Sequence, residues 1–244
     1  MGLTAEQLNH LLNFKGYGNP DGPVWFLGIE ERCKKEDIER NIEARAQFTA
    51  VMDLAEALMR IYNFDLHTMT KSPTLTWTWM AKIMIWLGYA DGYSISVEYV
   101  KTKLGRKDGK TFLTDLFPLP APSIKEEDWP DFYRTVFPDR RTYKMSVLEH
   151  QQAKLRQLIN EHDPHYIFAY GRLCEQHYKA LLPVLKWQRM KDSSYRTRSS
   201  VIEVGTWGKT TMIITPFFAR RNGLRTADAQ MVIDYLRSRD TGKA

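Results

Sequence analysis

The sequence predicts an α/β domain in three layers, α/β/α, around a central, mostly parallel sheet of four to five strands. Two patterns carry the prediction: short apolar runs that each lead through a loop into a helical stretch, and helical stretches in which apolar residues return every three or four positions. The third observation is that nothing divides the chain. Its 244 residues, 43% hydrophobic and 26% charged, hold no internal repeat, low-complexity tract or long Ser/Gly/Pro linker, so residues 1–244 read as one domain. A chain of this size hides roughly 70 to 75% of its unfolded surface, enough for a core without disulfides or metals.

Taken in order, residues 23–28 (PVWFLG) read as the first buried strand, followed by a helix on which Phe48, Val51, Ala55 and Leu58 recur at i, i+3, i+7 and i+10. A helical segment spans residues 77–87. Residues 111–116 (TFLTDL) form the second strand, after a basic turn region at 103–110 and before a Pro-rich loop. The third strand, 165–170 (HYIFAY), follows a helix carrying Leu148, Leu155, Leu158 and Ile159, and Gly171 opens a further helix that runs to Leu182. Residues 200–204 and 210–215 read as a hairpin-like pair around Gly205 to Gly208, ahead of a last helix with Met231, Val232, Tyr235 and Leu236 on one face.

The two cysteines, Cys33 and Cys174, exclude a four-cysteine zinc or iron–sulfur site and fit a reducing, cytoplasmic setting. The N-terminus lacks an apolar signal core. The longest apolar cluster, Ile83 to Leu87, falls far short of the ~20 residues of a membrane span. His162 and His165 are spaced like a metal pair but lack a third ligand, so neither a metal site nor a cofactor is expected. A monomer is expected. Charge is unevenly spread: from Asp163 onward 14 Lys and Arg face 7 Asp and Glu, whereas the first 162 residues are close to neutral. A sided surplus of this kind suits a phosphate backbone, although a solvated surface would look the same.

Ligands of open α/β sheets bind beyond the carboxyl ends of the strands, so the segments to inspect follow each apolar run. They are Gly28-Ile29-Glu30-Glu31-Arg32, Asp115-Leu116-Phe117-Pro118-Leu119 and Thr215-Pro216-Phe217-Phe218-Ala219-Arg220-Arg221-Asn222-Gly223. Their order and placement resemble the uracil-DNA glycosylase superfamily, closest in motif pattern to its single-strand-selective and mismatch-specific branches. The family carries a Gly-x-Asn-Pro-Gly-like loop after strand one, an Asn with Pro-Leu three and four residues on, and a late His-Pro-Ser. Gly28-Ile29-Glu30 matches the start of the first motif and places Glu30 at the water-activating position, with Glu31 replacing proline. Asp115 stands at the base-reading position with Pro118 and Leu119 in register. Thr215-Pro216 matches the third motif without its histidine, and Phe217 replaces the serine.

The resemblance implies a base-flipping DNA glycosylase that needs no cofactor. In that chemistry a carboxylate beside C1′ stabilises the sugar cation and orients water, the role implied for Glu30, which could otherwise complement a helix dipole. Uracil offers an N3–H donor and an O4 acceptor, whereas cytosine offers an N4 donor and an N3 acceptor. Asp115 fits the cytosine pattern if it and the base share one proton, or else it caps the turn before Pro118. Because free excision of ordinary cytosine would destroy the host genome, the expected substrate is a modified cytosine such as phage DNA carries, and the expected role is defence.

Gly28, Ile29, Glu31, Phe117, Pro118, Phe48 and Trp77 are the candidate substrate contacts beside the catalytic set Glu30, Asp115 and Thr215. The candidate DNA contacts are Arg220, Arg221, Asn222, Arg225, Gly171, Arg172 and Phe218, the last as an inserting wedge or else as core. Trp77 and Trp79 are two apart and cannot share a helix face, so at least one is expected in the core. The alternatives are a catalytically silent DNA-binding module of the same fold, a repair glycosylase for uracil or damaged bases, and an enzyme of free nucleosides.

Overall fold

A computed structural model describes residues 2–69, 72–190, 201–218 and 223–241. In chain order its elements are α1 (Ala5–Asn13), β1 (Gly16–Gly18), β2 (Val24–Arg32), α2 (Ile38–Arg45), β3 (Val51–Met52), α3 (Leu54–Tyr62), α4 (Leu75–Leu87), α5 (Ser96–Thr102) and β4 (Thr111–Ala121). There follow α6 (Arg140–His162), β5 (Tyr166–Tyr170), α7 (Glu175–Lys179), β6 (Gln188–Met190), β7 (Ile202–Trp207), β8 (Thr210–Thr215) and α8 (Thr226–Thr241). All eight strands join one sheet in the order β3-β1-β4-β2-β5-β8-β7-β6. The α/β class stands, but the sheet is larger than the expected four to five strands. The additions are β1, β3 and β6, each of only two or three residues, too short for any periodicity to register.

The centre is parallel: β4 pairs with β2, β2 with β5, and β5 with β8. β7 returns antiparallel to β8 as the sequence suggested, and β6 and β1 add antiparallel neighbours. Because both faces of the central strands are covered, Val24 to Ile29 are buried without alternation. Trp25, Leu27 and Ile29 pack on one face with α1, α2 and α6 through Leu11, Ile38, Tyr143 and Leu155. Val24 and Phe26 pack on the other with α4, α5 and α8 through Trp79, Ile83, Tyr99, Val232 and Leu236. Trp79 is thus a core residue.

Two helices differ from expectation. Phe48 and Val51 lie outside any helix, since Val51 pairs in β3 and α3 begins only where the Asp53 side chain accepts from the amides of Ala55 and Glu56. The stretch after Gly171 is a short 3₁₀ turn followed by the five-residue α7. No described helix is long and apolar enough to cross a membrane.

Strand order positions the site. From β2 the chain crosses to β4 on one side and then back past β2 to β5 on the other. The carboxyl ends of β2 and β5 therefore bound a topological switch point, where open α/β sheets leave a crevice.

Candidate active site at the strand ends

Gly28, read from the sequence as the end of the first strand, is a buried residue inside β2, which runs on to Arg32. It lies in register with Asp115 across the β2–β4 pair, so the two positions share a face. A Cβ at position 28 would lie 2.1 Å from Asp115 Oδ1 and 2.7 Å from the Tyr170 hydroxyl, so only glycine lets the acid and the phenol close over the strand. Among the described residues neither the Asp115 carboxyl nor the Tyr170 hydroxyl has a hydrogen-bond partner. The two half-buried polar groups converge on one point above Gly28. Burial, and after it the Glu31 charge, pushes the Asp115 carboxyl up to about 7, against the opposing pull of Arg45. Burial also raises the Tyr170 phenol, with Asp115 adding to the effect.

The walls follow from packing. Phe218 stacks on Tyr170 with ring centroids 4.7 Å apart and planes 16° off parallel, and it also meets Trp79 at 6.4 Å. Gly171, at φ +106°, brings the exit of β5 against Ile29 and Phe217, which a Cβ there would meet at 2.9 and 2.8 Å. Thr215 is buried and its hydroxyl donates to the Pro216 carbonyl.

The two glutamates separate. Glu30 lies in a buried ion pair, its oxygens 2.5 and 2.7 Å from Arg140 Nη1, with side chains 4% and 1% exposed. Arg140 also donates to the Ser123 carbonyl and packs on the Trp129 ring. Burial raises the Glu30 carboxyl and Arg140 opposes that rise. Glu31 is the more open of the two, at 21% side-chain exposure. It accepts from the Tyr17 hydroxyl at 2.9 Å and from Asn41 at 2.8 Å, and pairs with Arg45 at 3.6 Å. Arg45, itself buried, donates to the Pro118 carbonyl at 3.1 Å and so ties the end of β2 to the end of β4. A cavity of about 20 Å³, the size of one water, lies between Asp115, Arg45, Tyr17 and Lys154.

Several sequence candidates lie elsewhere. Phe117 is buried beneath Lys144 and Tyr143, and Phe48 is buried against Phe14 beside Met52. Neither offers a ring face to a base. Phe218, only 3% exposed, is core, which corrects its role as an inserting wedge. Arg172 donates to the Val201 carbonyl and pairs with Glu175 and Glu203, and Arg225 grips Asp228 through two hydrogen bonds of 2.8 and 2.9 Å. Both arginines are paired with carboxylates of the fold. Trp77 stays half-buried on the first turn of α4. Arg220, Arg221 and Asn222 lie outside the described residues.

His162 bonds Asp21 while His165 bonds Tyr89, so the two histidines serve different neighbours. Among the described residues no group of three His, Cys, Asp or Glu is arranged to hold a metal. Compared with known proteins, the chain matches no family model and no curated sequence.

Tyr170, Tyr17, Asn41 and Arg45 were not singled out from the sequence. A signal existed only for Tyr170, a polar-tipped residue closing an apolar strand run at its carboxyl end. The other three acquire meaning through Glu31, which lies 14, 10 and 14 residues away in the chain.

Proposed function

We propose that the protein is a DNA glycosylase that accepts a flipped cytosine-type base in the crevice at Gly28 and hydrolyses its N-glycosidic bond. The observation that carries this reading is the half-buried Asp115 carboxyl beside the Tyr170 hydroxyl, without a hydrogen-bond partner among the described residues and pushed up to about 7. Such a group holds a proton near neutral pH, and a protonated carboxyl donates to cytosine N3 while its other oxygen accepts from N4. As the C1′–N1 bond breaks, its electron pair leaves with the base and the Asp115 proton passes to N3. Water then bonds C1′ and gives its proton to the Asp115 carboxylate, which restores the acid and leaves an abasic site.

Charge stabilisation falls to a different carboxylate from the one the sequence resemblance implied. Glu30 has both oxygens committed to Arg140 and acts as a brace. Glu31 also holds Tyr17, Asn41 and Arg45, but it is the more open carboxylate and the one whose charge reaches Asp115 most strongly, and its negative charge stabilises the positive charge that develops on the sugar. In this reading the Tyr170 hydroxyl, close to the Asp115 carboxyl above Gly28, donates to the departing base, a role the missing third-motif histidine leaves open.

The test is incubation with oligonucleotides holding one uracil, cytosine, 5-hydroxymethylcytosine or glucosylated hydroxymethylcytosine, followed by alkali. Scission at a cytosine-type base is expected, and Asp115→Asn shifts preference toward uracil by at least about tenfold, the worth of one good bidentate pair. DNA binding with no scission on any of the four would replace this reading with that of a silent binding module.

A further inference from the structure

A second concentration of unassigned polar groups lies at the opposite end of the sheet, beneath the amino ends of β5 and β8. A cavity of about 280 Å³ opens there between His165, Tyr166, Lys209, Thr211, Tyr89 and Arg239. Register brings the strands together at this point: Tyr166 pairs with Thr211, and the Thr211 amide donates to the His165 carbonyl at 2.9 Å. The turn between β7 and β8 adds Lys209, and α8 lays Arg239 across the opening.

The electrostatics of this cavity are one-sided. Its ionisable walls include two cations and an imidazole, and among the described residues no carboxylate lines it. Arg239 is half-buried and, among the described residues, has no acidic partner. Its Nη1 donates to the Thr206 hydroxyl at 2.8 Å, Thr206 in turn touches the Thr211 hydroxyl at 3.2 Å, and its guanidinium rests on the Tyr235 ring. The fork is thereby fixed before any ligand arrives. Lys209 is 80% exposed and only loosely paired with Asp163, at 3.6 Å. His165 is oriented by the Tyr89 hydroxyl, 3.1 Å from its Nδ1, which leaves Nε2 for a ligand. The larger cavity of about 460 Å³ beside α3 offers no such asymmetry, because Asp53, Glu56, Asp91 and Asp108 offset its Lys103, Arg106 and Lys110.

A preoriented arginine, an exposed lysine, an imidazole and a threonine hydroxyl around one cavity form the donor set that recognises tetrahedral oxyanions. We propose that this cavity is a phosphate site, separate from the crevice by the length of β5, about 15 Å at ~3.3 Å per residue. Its occupant is a phosphate group, supplied either by a free mononucleotide or by the backbone of bound DNA. The site does not depend on the glycosylase reading.

The experiment titrates the full-length protein with inorganic phosphate and with a deoxynucleoside 5′-monophosphate, followed by amide chemical shifts and calorimetry. In parallel, binding of a duplex oligonucleotide is measured over a range of salt. For a free-phosphate site, the amides of Lys209 and Thr211 shift saturably and Arg239→Gln weakens mononucleotide binding at least about tenfold, as loss of a charge-assisted hydrogen bond does. For a backbone site, Arg239→Gln and Lys209→Gln each flatten the salt slope of duplex binding by ~1. Lys209→Gln changes only an exposed side chain and keeps the test valid if Arg239→Gln folds poorly. Absence of saturable phosphate binding below about 10 mM together with an unchanged duplex slope overturns the proposal. So does phosphate binding that neither variant weakens.

Discussion

At the scale of single residues, the carboxyls divide by what surrounds them. Glu30 and Arg140 are both almost wholly buried, and removing one member of such a pair leaves an uncompensated charge, at a typical cost of about 3–5 kcal/mol. Arg140→Met is therefore expected to lower unfolding free energy in urea by that order. The double variant Glu30→Gln/Arg140→Met recovers most of the loss, and additive losses would contradict the pairing. Asp115 behaves in the opposite sense. Its folded-state value of about 7 lies above the ordinary 3.8, so between about pH 4 and 7 the folded chain binds more protons than the unfolded chain and stability falls as pH rises. Asp115→Asn removes this slope. The variant gains on the wild type by ~1 kcal/mol or more from pH 4.5 to pH 7.5, and parallel pH profiles would show Asp115 to be ionised throughout.

At the scale of elements, what the sequence revealed tracks burial and length. The strands β2, β4, β5 and β8 are covered on both faces and read directly as apolar runs, and Thr215 at the carboxyl end of β8 followed with them, whereas Gly28 and Asp115, read as the ends of their runs, lie inside β2 and β4, which stay paired as far as Arg32 and Ala121. The run Thr4 to Gln7 forms a capping box at α1, a local signature that sequence alone could have yielded. Other ties are not local at all. The carbonyl of Leu12 at the end of α1 accepts from Gln151 at 3.0 Å and Lys154 at 2.8 Å, and the Phe14 carbonyl accepts from Lys154 at 2.9 Å. Burial lowers the Lys154 ammonium to about 7, yet no periodicity along α6 announces that two of its side chains reach 139 to 142 residues back. Lys154→Met keeps the stem and deletes the two hydrogen bonds, so α1 amides should exchange faster by an opening free energy about 1–3 kcal/mol lower. Exchange in β5, whose backbone takes no part in these hydrogen bonds, should be unaffected at the same denaturant concentration.

At the scale of the whole molecule, the proposed DNA binding divides the basic C-terminal third into cations spent on the fold and cations that would meet phosphates. Lys179, Arg189 and Arg172 surround Glu203, hydrogen bonds from Lys179 and Arg189 helping to hold its carboxyl down at about 2, and Arg225 is bound to Asp228. Charge counting along the sequence registers the surplus but not this internal pairing, because the partners meet only across β7, α7 and the start of α8. Phosphates release counterions only to cations not already neutralised, so the two groups separate in a salt titration of DNA binding. Arg172→Gln is expected to lower the unfolding midpoint while leaving the slope of log Kd against log salt within error of the wild type. Arg220→Ala with Arg221→Ala, two positions that follow the strand end at Thr215 in the chain, is expected to flatten that slope by ~1 for each phosphate no longer neutralised. A flattened slope for Arg172→Gln with normal stability would place the DNA path over α7 instead, away from the crevice at Gly28, and would detach the basic surplus from the proposed base pocket.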